Sequence, residues 1–223
     1  VSEHYLPTGL ESRIPKKPYS IALSLSDKLD SLVGFFGLNL KPSSSKDPYA
    51  LRRSAIGLLK MILENNKKLK LRELINYSCQ LYSEQSINFN VKDVQKDLFD
   101  FFRERFKNFM KEKEIRNDII ESAILDYNID NILKIYKKTL ILNKLILKET
   151  GKDVMFSYKR ASNIISNELK NNKIELTGSA DPGLFKNEFE KILFKKIHEI
   201  RKDFTNISRE DDYEGMLKAL ARI

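Results

Sequence analysis

Apolar side chains return every third or fourth residue along most of this chain, and that spacing is what most constrains its fold. Ile21, Leu25, Leu29, Leu32, Val33 and Phe36 trace one such face. Leu51, Ala55, Leu58, Leu59, Ile62 and Leu63 trace a second, and Val94, Leu98, Phe101, Phe102, Phe106 and Phe109 a third with a heavy aromatic content. A period near 3.6 places each set on one side of an α-helix. No stretch alternates with period two between turn pairs, so a sheet is not expected. The chain reads as all-α, a helical bundle. Its 223 residues suffice for one large domain or two small ones.

Helix punctuation divides the pattern. Pro7, Gly9, Pro15 and Pro18 keep the first eighteen residues from regular helix. Helical spacing then runs from Tyr19 to Phe36, with Gly37 expected as its C-cap. Asp47-Pro48 is expected to open the next helix, the aspartate as N-cap and the proline in the first turn. Further helices are expected over Leu71–Tyr82, from Val91 through Phe109, and over Ile115–Asp126, Ile129–Lys148, Val154–Leu169, Gly183–Phe204 and Glu210–Ile223. The polar run Ser83-Glu-Gln-Ser-Ile-Asn88 marks the expected domain boundary. The chain starts at Val1, not at methionine, and is expected to be a piece of something longer.

Several chemistries find no support. The single cysteine, Cys79, excludes an intramolecular disulfide framework and reads as a small core residue. His4 and His198 have no ligand-spaced partner, and no glycine motif for nucleotide phosphates is present. No apolar run has the length of a membrane span. Asp27 and Asp30 share a helix face and could serve as metal or acid–base carboxylates; the alternative is a solvated face with Lys28 adjacent. No catalytic constellation is expected.

Charge points elsewhere. Lys and Arg number 40 against 31 Asp and Glu, a net +9, which favours a polyanionic partner. The excess is spread along the chain, so any anion-binding face has to be assembled by folding. Candidate cations are Arg52 and Arg53, then Lys134, Lys137, Lys138, Lys144 and Lys148 as a stripe. Lys159-Arg160, extended by Lys170 and Lys173, form a further group. Cations held in register on a rigid element suit phosphates; the alternative is that they solubilise helices.

Three stretches carry a family resemblance: Glu3-His-Tyr-Leu-Pro7, Leu25-Ser-Asp-Lys-Leu-Asp-Ser-Leu-Val-Gly-Phe-Phe36 and Ser45-Lys-Asp-Pro-Tyr-Ala-Leu-Arg-Arg53. The series resembles the beta subunit of bacterial two-subunit glycyl-tRNA synthetase, whose patterns read E-x-Y-[LM]-P, A-D-K-[LM]-D-[ST]-L-x-G-x-F and K-D-P-[FY]-A-L-R-R. Ser26 departs from the family's alanine. Tyr158-Lys-Arg-Ala-Ser-Asn-Ile164 resembles the K-R-[VA]-x-N-I stretch of the family's anticodon-binding region.

The resemblance implies residues 1–84 as the C-terminal part of an HD-type helical domain. It implies residues 85–223 as a DALR-like helical anticodon-binding domain, truncated at its C-terminus. The implied setting is a cytoplasmic alpha2beta2 assembly in which the alpha subunit holds the class II core, ATP and magnesium, and this chain binds tRNA(Gly) without catalysing. Asp27 looks like the position of the last metal ligand of HD-type phosphohydrolases, whose histidine ligands would precede Val1; one carboxylate alone holds no divalent cation usefully. Tyr158, Lys159, Arg160 and Asn163 are the implied tRNA surface, with Arg52, Arg53, Lys137 and Lys138 as further contacts. Guanidinium and aromatic planes stack on unpaired bases, and an amide reads their edges. Arg160 and Asn163 could instead lock neighbouring helices. A metal phosphohydrolase fragment and a subunit-assembly scaffold are the alternative functions.

Overall fold

The structure, a computed structural model, describes residues 3–9, 11–125, 128–172, 180–209 and 212–222. Among them the chain is helical with no strand: α1 (Pro18–Gly37), α2 (Leu51–Glu64), α3 (Leu71–Glu84), α4 (Val91–Lys111), α5 (Asn117–Leu125), α6 (Ile132–Ile146), α7 (Glu149–Asn172), α8 (Glu188–Arg209) and α9 (Tyr213–Leu220). Two compact units divide it, Val1–Thr139 and Leu140–Ile223. The boundary expected at residues 84/85 lies within the first unit, between α3 and α4.

The first unit is built around α1, which packs against α2, α3 and α4. Leu32 and Val33 of α1, Leu58 and Leu59 of α2, Ile75 of α3 and Leu98, Phe102 and Phe106 of α4 are fully buried. The apolar spacing read from the sequence thus becomes one core, and loss of a buried phenylalanine from it costs about 3–5 kcal/mol.

Helix ends depart from the expected punctuation in informative ways. Gly37 is the last residue of α1 rather than its cap. The left-handed position falls on Asn39, at φ 58°, where Leu40 N–H reaches the Phe35 carbonyl and Asn39 N–H that of Phe36. Gly37 lacks a side chain for another reason: the Phe89 ring lies where a Cβ would stand. Asp47-Pro48 does not begin α2, which starts at Leu51. The Asp47 carboxylate instead reaches across the turn to accept from the N–H groups of Leu51 at 2.9 Å and Arg52 at 3.0 Å. It satisfies orphan donors of the first turn from outside the usual cap position.

Other caps come from residues that periodicity passes over. Asp130 accepts from the Arg72 N–H at 2.7 Å and closes the start of α3 from 58 residues away. Asn131 accepts from the Lys134 N–H, which starts α6 later than Ile129. α8 begins at Glu188, not Gly183, because Asp181 organises a separate turn at Pro182–Leu184. Asn187 and Glu190 then accept from each other's backbone N–H as a capping box.

In the second unit α8 and α9 pack together, with Ile200 and Ala219 buried and an Arg222–Asp203 ion pair at 3.0 Å. α7 is different. Phe156, Tyr158, Ile164 and Leu169 are all exposed. α7 also starts at Glu149, five residues before the expected Val154. Lys173 and Thr177–Ser179 lie outside the described residues.

Candidate nucleic-acid interface

The side chains singled out in the sequence fall on both units. Arg52, Arg53, Lys137 and Lys138 belong to the first; Tyr158, Lys159, Arg160 and Asn163 belong to the second, on α7.

On α7, Lys159, Arg160 and Asn163 are exposed and lie within about 100° of helix circumference. Tyr158 does not join them. It lies about 140° round the helix from Asn163, in the middle of an apolar stripe of Val154, Met155, Tyr158, Ala161, Ile165 and Leu169. The four-residue set implied by the resemblance therefore divides into a cationic face and one member of the opposite stripe. The cationic face carries two residues that sequence reasoning passed over, Lys152 and Phe156, both exposed. Their signal was legible, since Lys152, Phe156, Lys159 and Asn163 follow steps of four, three and four.

Arg52 and Arg53 part company at the start of α2. The Arg52 guanidinium donates to the Ser43 carbonyl, so it braces the loop before the helix. Arg53 is exposed and lines a cavity of about 260 Å³ with Tyr5, Pro7, Thr8, Asp27 and Lys28. A third guanidinium, not anticipated, belongs to this neighbourhood. Arg105 of α4 lies 4.8 Å from the Phe101 ring centroid, and its Nε is buried without a hydrogen-bond partner. Burial, and then the Arg52 charge, lower its proton affinity, while Glu104 and Asp47 act the other way. Lys137 is exposed on α6 and Lys138 half-buried beside it.

Lys28, expected on a solvated face, is buried. Its ammonium donates to the carbonyls of His4 at 3.5 Å and Tyr5 at 3.3 Å, and to the Ser24 hydroxyl at 3.1 Å. Ser24 in turn donates to the Leu6 carbonyl. Desolvation pushes the Lys28 pKa below its ordinary value, against the favourable charge of Asp27. Asp27 itself is exposed. The charged neighbours it shares the cavity with are Lys28 and Arg53, a setting that suits an anion better than a divalent metal. Among the described residues no group of three or more His, Cys, Asp or Glu side chains is placed to hold a metal ion. No described helix is long and apolar enough to cross a membrane.

Cys79 is buried, as its helix face suggests, and burial pushes its thiol up. His198 is exposed, with Nδ1 3.2 Å from the Phe194 carbonyl and its ring 4.3 Å from that of Phe194.

Comparison with known proteins bears on all three motif stretches. Over its whole length the chain is 35% identical, across 225 residues, to the glycine–tRNA ligase beta subunit of Rickettsia canadensis (strain McKiel), of which it covers 31%. It is 37% identical across 228 residues to that of Rickettsia peacockii (strain Rustic), again covering 31%. Identity to the beta subunit of Cereibacter sphaeroides (strain ATCC 17029 / ATH 2.4.9) is 28% across 220 residues, covering 99% of this chain and 32% of that one. The chain thus spans about a third of the length of these relatives. Residues 1–125, which hold the Lys28 clip, the Asp47 cap and most of the buried core, match the family described as glycyl-tRNA synthetase beta subunit, and it is to this family that the chain belongs.

Proposed function

We propose that this chain is a tRNA-recognition part of a glycyl-tRNA synthetase beta subunit, acting in the cytoplasm. It supports glycine attachment to tRNA(Gly) by an alpha subunit that holds ATP, magnesium and the class II core, within an alpha2beta2 assembly. The chain itself contributes binding, not bond-making. Residues 1–84 are the C-terminal part of an HD-type helical domain, and residues 85–223 are a DALR-like anticodon-binding domain.

The observation that carries this reading is the exposed cationic face of α7. Lys159, Arg160 and Asn163 share one arc of α7, in a chain whose family is that of a tRNA ligase. Cations in register attract phosphates, and the arginine and amide groups suit the exposed edges of unpaired bases. Arg53 and Lys137, exposed on the first unit, and Lys138 beside it supply further phosphate contacts.

The test is binding to tRNA with the glycine anticodon, and to the same tRNA with that anticodon changed, at two salt concentrations. Tighter binding to the glycine anticodon that weakens with salt is the expected result. Equal binding to both would leave only a phosphate-holding surface, and no binding at either salt would remove the reading.

A further inference from the structure

Phe156 is a large apolar side chain 70% exposed on the polar side of α7. It does not belong to the helix's apolar stripe, which lies on the other side. Three of its four neighbours at helical spacing are cations, Lys152 four residues before it, Lys159 three after and Arg160 four after; the fourth is Asp153, three before. Side chains three and four apart are neighbours on a helix surface. Lys152 and Lys159 therefore flank the ring about 6 Å and 4.5 Å away along the axis. Asn163 follows on the same face about 10.5 Å beyond the ring. Glu149, also exposed, lies in the first turn, where the helix dipole favours its charge.

An isolated ring between cations fits one chemistry better than any other. Bases of an unpaired strand stack on aromatic faces, while the phosphates joining them need positive charge on either side. A protein helix docking here would meet three cations around one ring and no continuous apolar strip. Duplex RNA would offer phosphates but no free base face for the ring.

We infer that Phe156 is a stacking platform for an unpaired RNA base, with Lys152 and Lys159 holding the flanking phosphates and Asn163 reading the edge of the next base. Arg160 supplies a second plane or a bidentate phosphate contact. This deepens the proposed tRNA reading and rests on it.

The experiment compares Phe156→Ala, Phe156→Tyr and the triple variant Lys152→Gln/Lys159→Gln/Arg160→Gln in the intact protein. Each is assayed for tRNA affinity across salt, and by fluorescence of 2-aminopurine placed in the anticodon loop, with circular dichroism confirming the fold. Phe156→Ala should weaken binding about tenfold or more, with the salt slope unchanged and 2-aminopurine quenching lost. Phe156→Tyr should keep both. If Phe156→Ala binds and quenches like the parent while the triple variant loses affinity, the stacking role is wrong and the tRNA surface stands. If the triple variant also keeps its affinity and salt slope, the tRNA reading of α7 falls with it. Binding of a protein helix at this face, with unchanged tRNA affinity in Phe156→Ala, would equally overturn the inference.

Discussion

The Lys28 ammonium lies 3.3 Å from the Tyr5 carbonyl oxygen, joining two of the three motif stretches by a partly buried hydrogen bond. With the bonds to His4 and Ser24 it commits all three of its donors to the protein. The lysine stem passes over Gly57, where a Cβ would lie 2.8 Å from Lys28 Cε and 3.2 Å from the Pro7 carbonyl oxygen. The motif lysine, the entry segment and a small residue of α2 form one fitted joint. Lys28→Met keeps the stem and removes the charge, leaving the His4 and Tyr5 carbonyls without their donor. The expected loss is about 1–3 kcal/mol. Hydrogen exchange should rise first at Ser24 and in the segment before α1, with α4 unaffected until global unfolding.

The motif glycine of α1 has a comparable explanation. A Cβ on Gly34 would overlap the Tyr82 hydroxyl of α3, which donates to the Asp30 carbonyl at 3.2 Å. Gly34→Ala should therefore destabilise by about 1–3 kcal/mol despite its better helix propensity. In a Tyr82→Phe background the nearest atom becomes the ring carbon at 3.1 Å, and much of the penalty should disappear. A denaturant double-mutant cycle measures this coupling; simple additivity would refute it.

Tyr82 also gives the fold an alkaline limit. Burial, then the hydrogen bond and charge at Asp30, raise its pKa from the ordinary 10.0 to about 12. The neutral phenol is favoured in the folded state, so its contribution is complete below pH 10. That contribution declines as pH rises from 10 towards 12, because the unfolded chain ionises first. Tyr82→Phe should flatten the fall in melting temperature over this window, and an unchanged slope would exclude Tyr82 as its source.

How much of this was legible depends on distance along the chain. The apolar spacing of α1, α2 and α4 encodes the core directly, because neighbours on a helix face are three and four residues apart. Gly34 and Tyr82 are separated by a helix and two turns, so no local pattern reveals that one makes room for the other. Asp47 was readable as a cap, but its reach across Pro48–Ala50 to Leu51 was not, since the intervening turn has to be seen. Lys28 misled because a lysine beside two aspartates looks solvated. Phe156 obeys the same spacing rule as its cationic neighbours, whereas the family-like motif begins at Tyr158, a ring on the opposite stripe.

The aspartate and the first arginine of the third motif have separable roles. Asp47→Ala removes the acceptor of two N–H groups at the start of α2 and should cost about 0.5–2 kcal/mol. Asp47→Asn should recover part of it. Neither change should lower the salt slope of tRNA binding, because Asp47 carries no cation to a phosphate. A thermal melt and a salt titration on the same variants distinguish a structural aspartate from one that touches RNA.

The guanidinium pair above that cap tests whether the first unit holds a phosphate. Arg52 braces Ser43 with one nitrogen, while Arg105 presents a buried Nε with no partner and is crowded by the Arg52 charge. Glu104 and Asp47 offset part of this charge, and a phosphate would offset the rest. Arg105→Gln should therefore lower tRNA affinity and reduce the magnitude of the salt slope by about 0.7–0.9, the value of one released counterion. It should leave the melting temperature unchanged or slightly raised, since the crowding goes with the charge. Arg105→Lys keeps one charge without the fork and should restore the slope but only part of the affinity. A purely structural Arg105 gives the opposite pattern, with a lowered melting temperature and an unaltered salt slope. The melt and the salt titration together assign it.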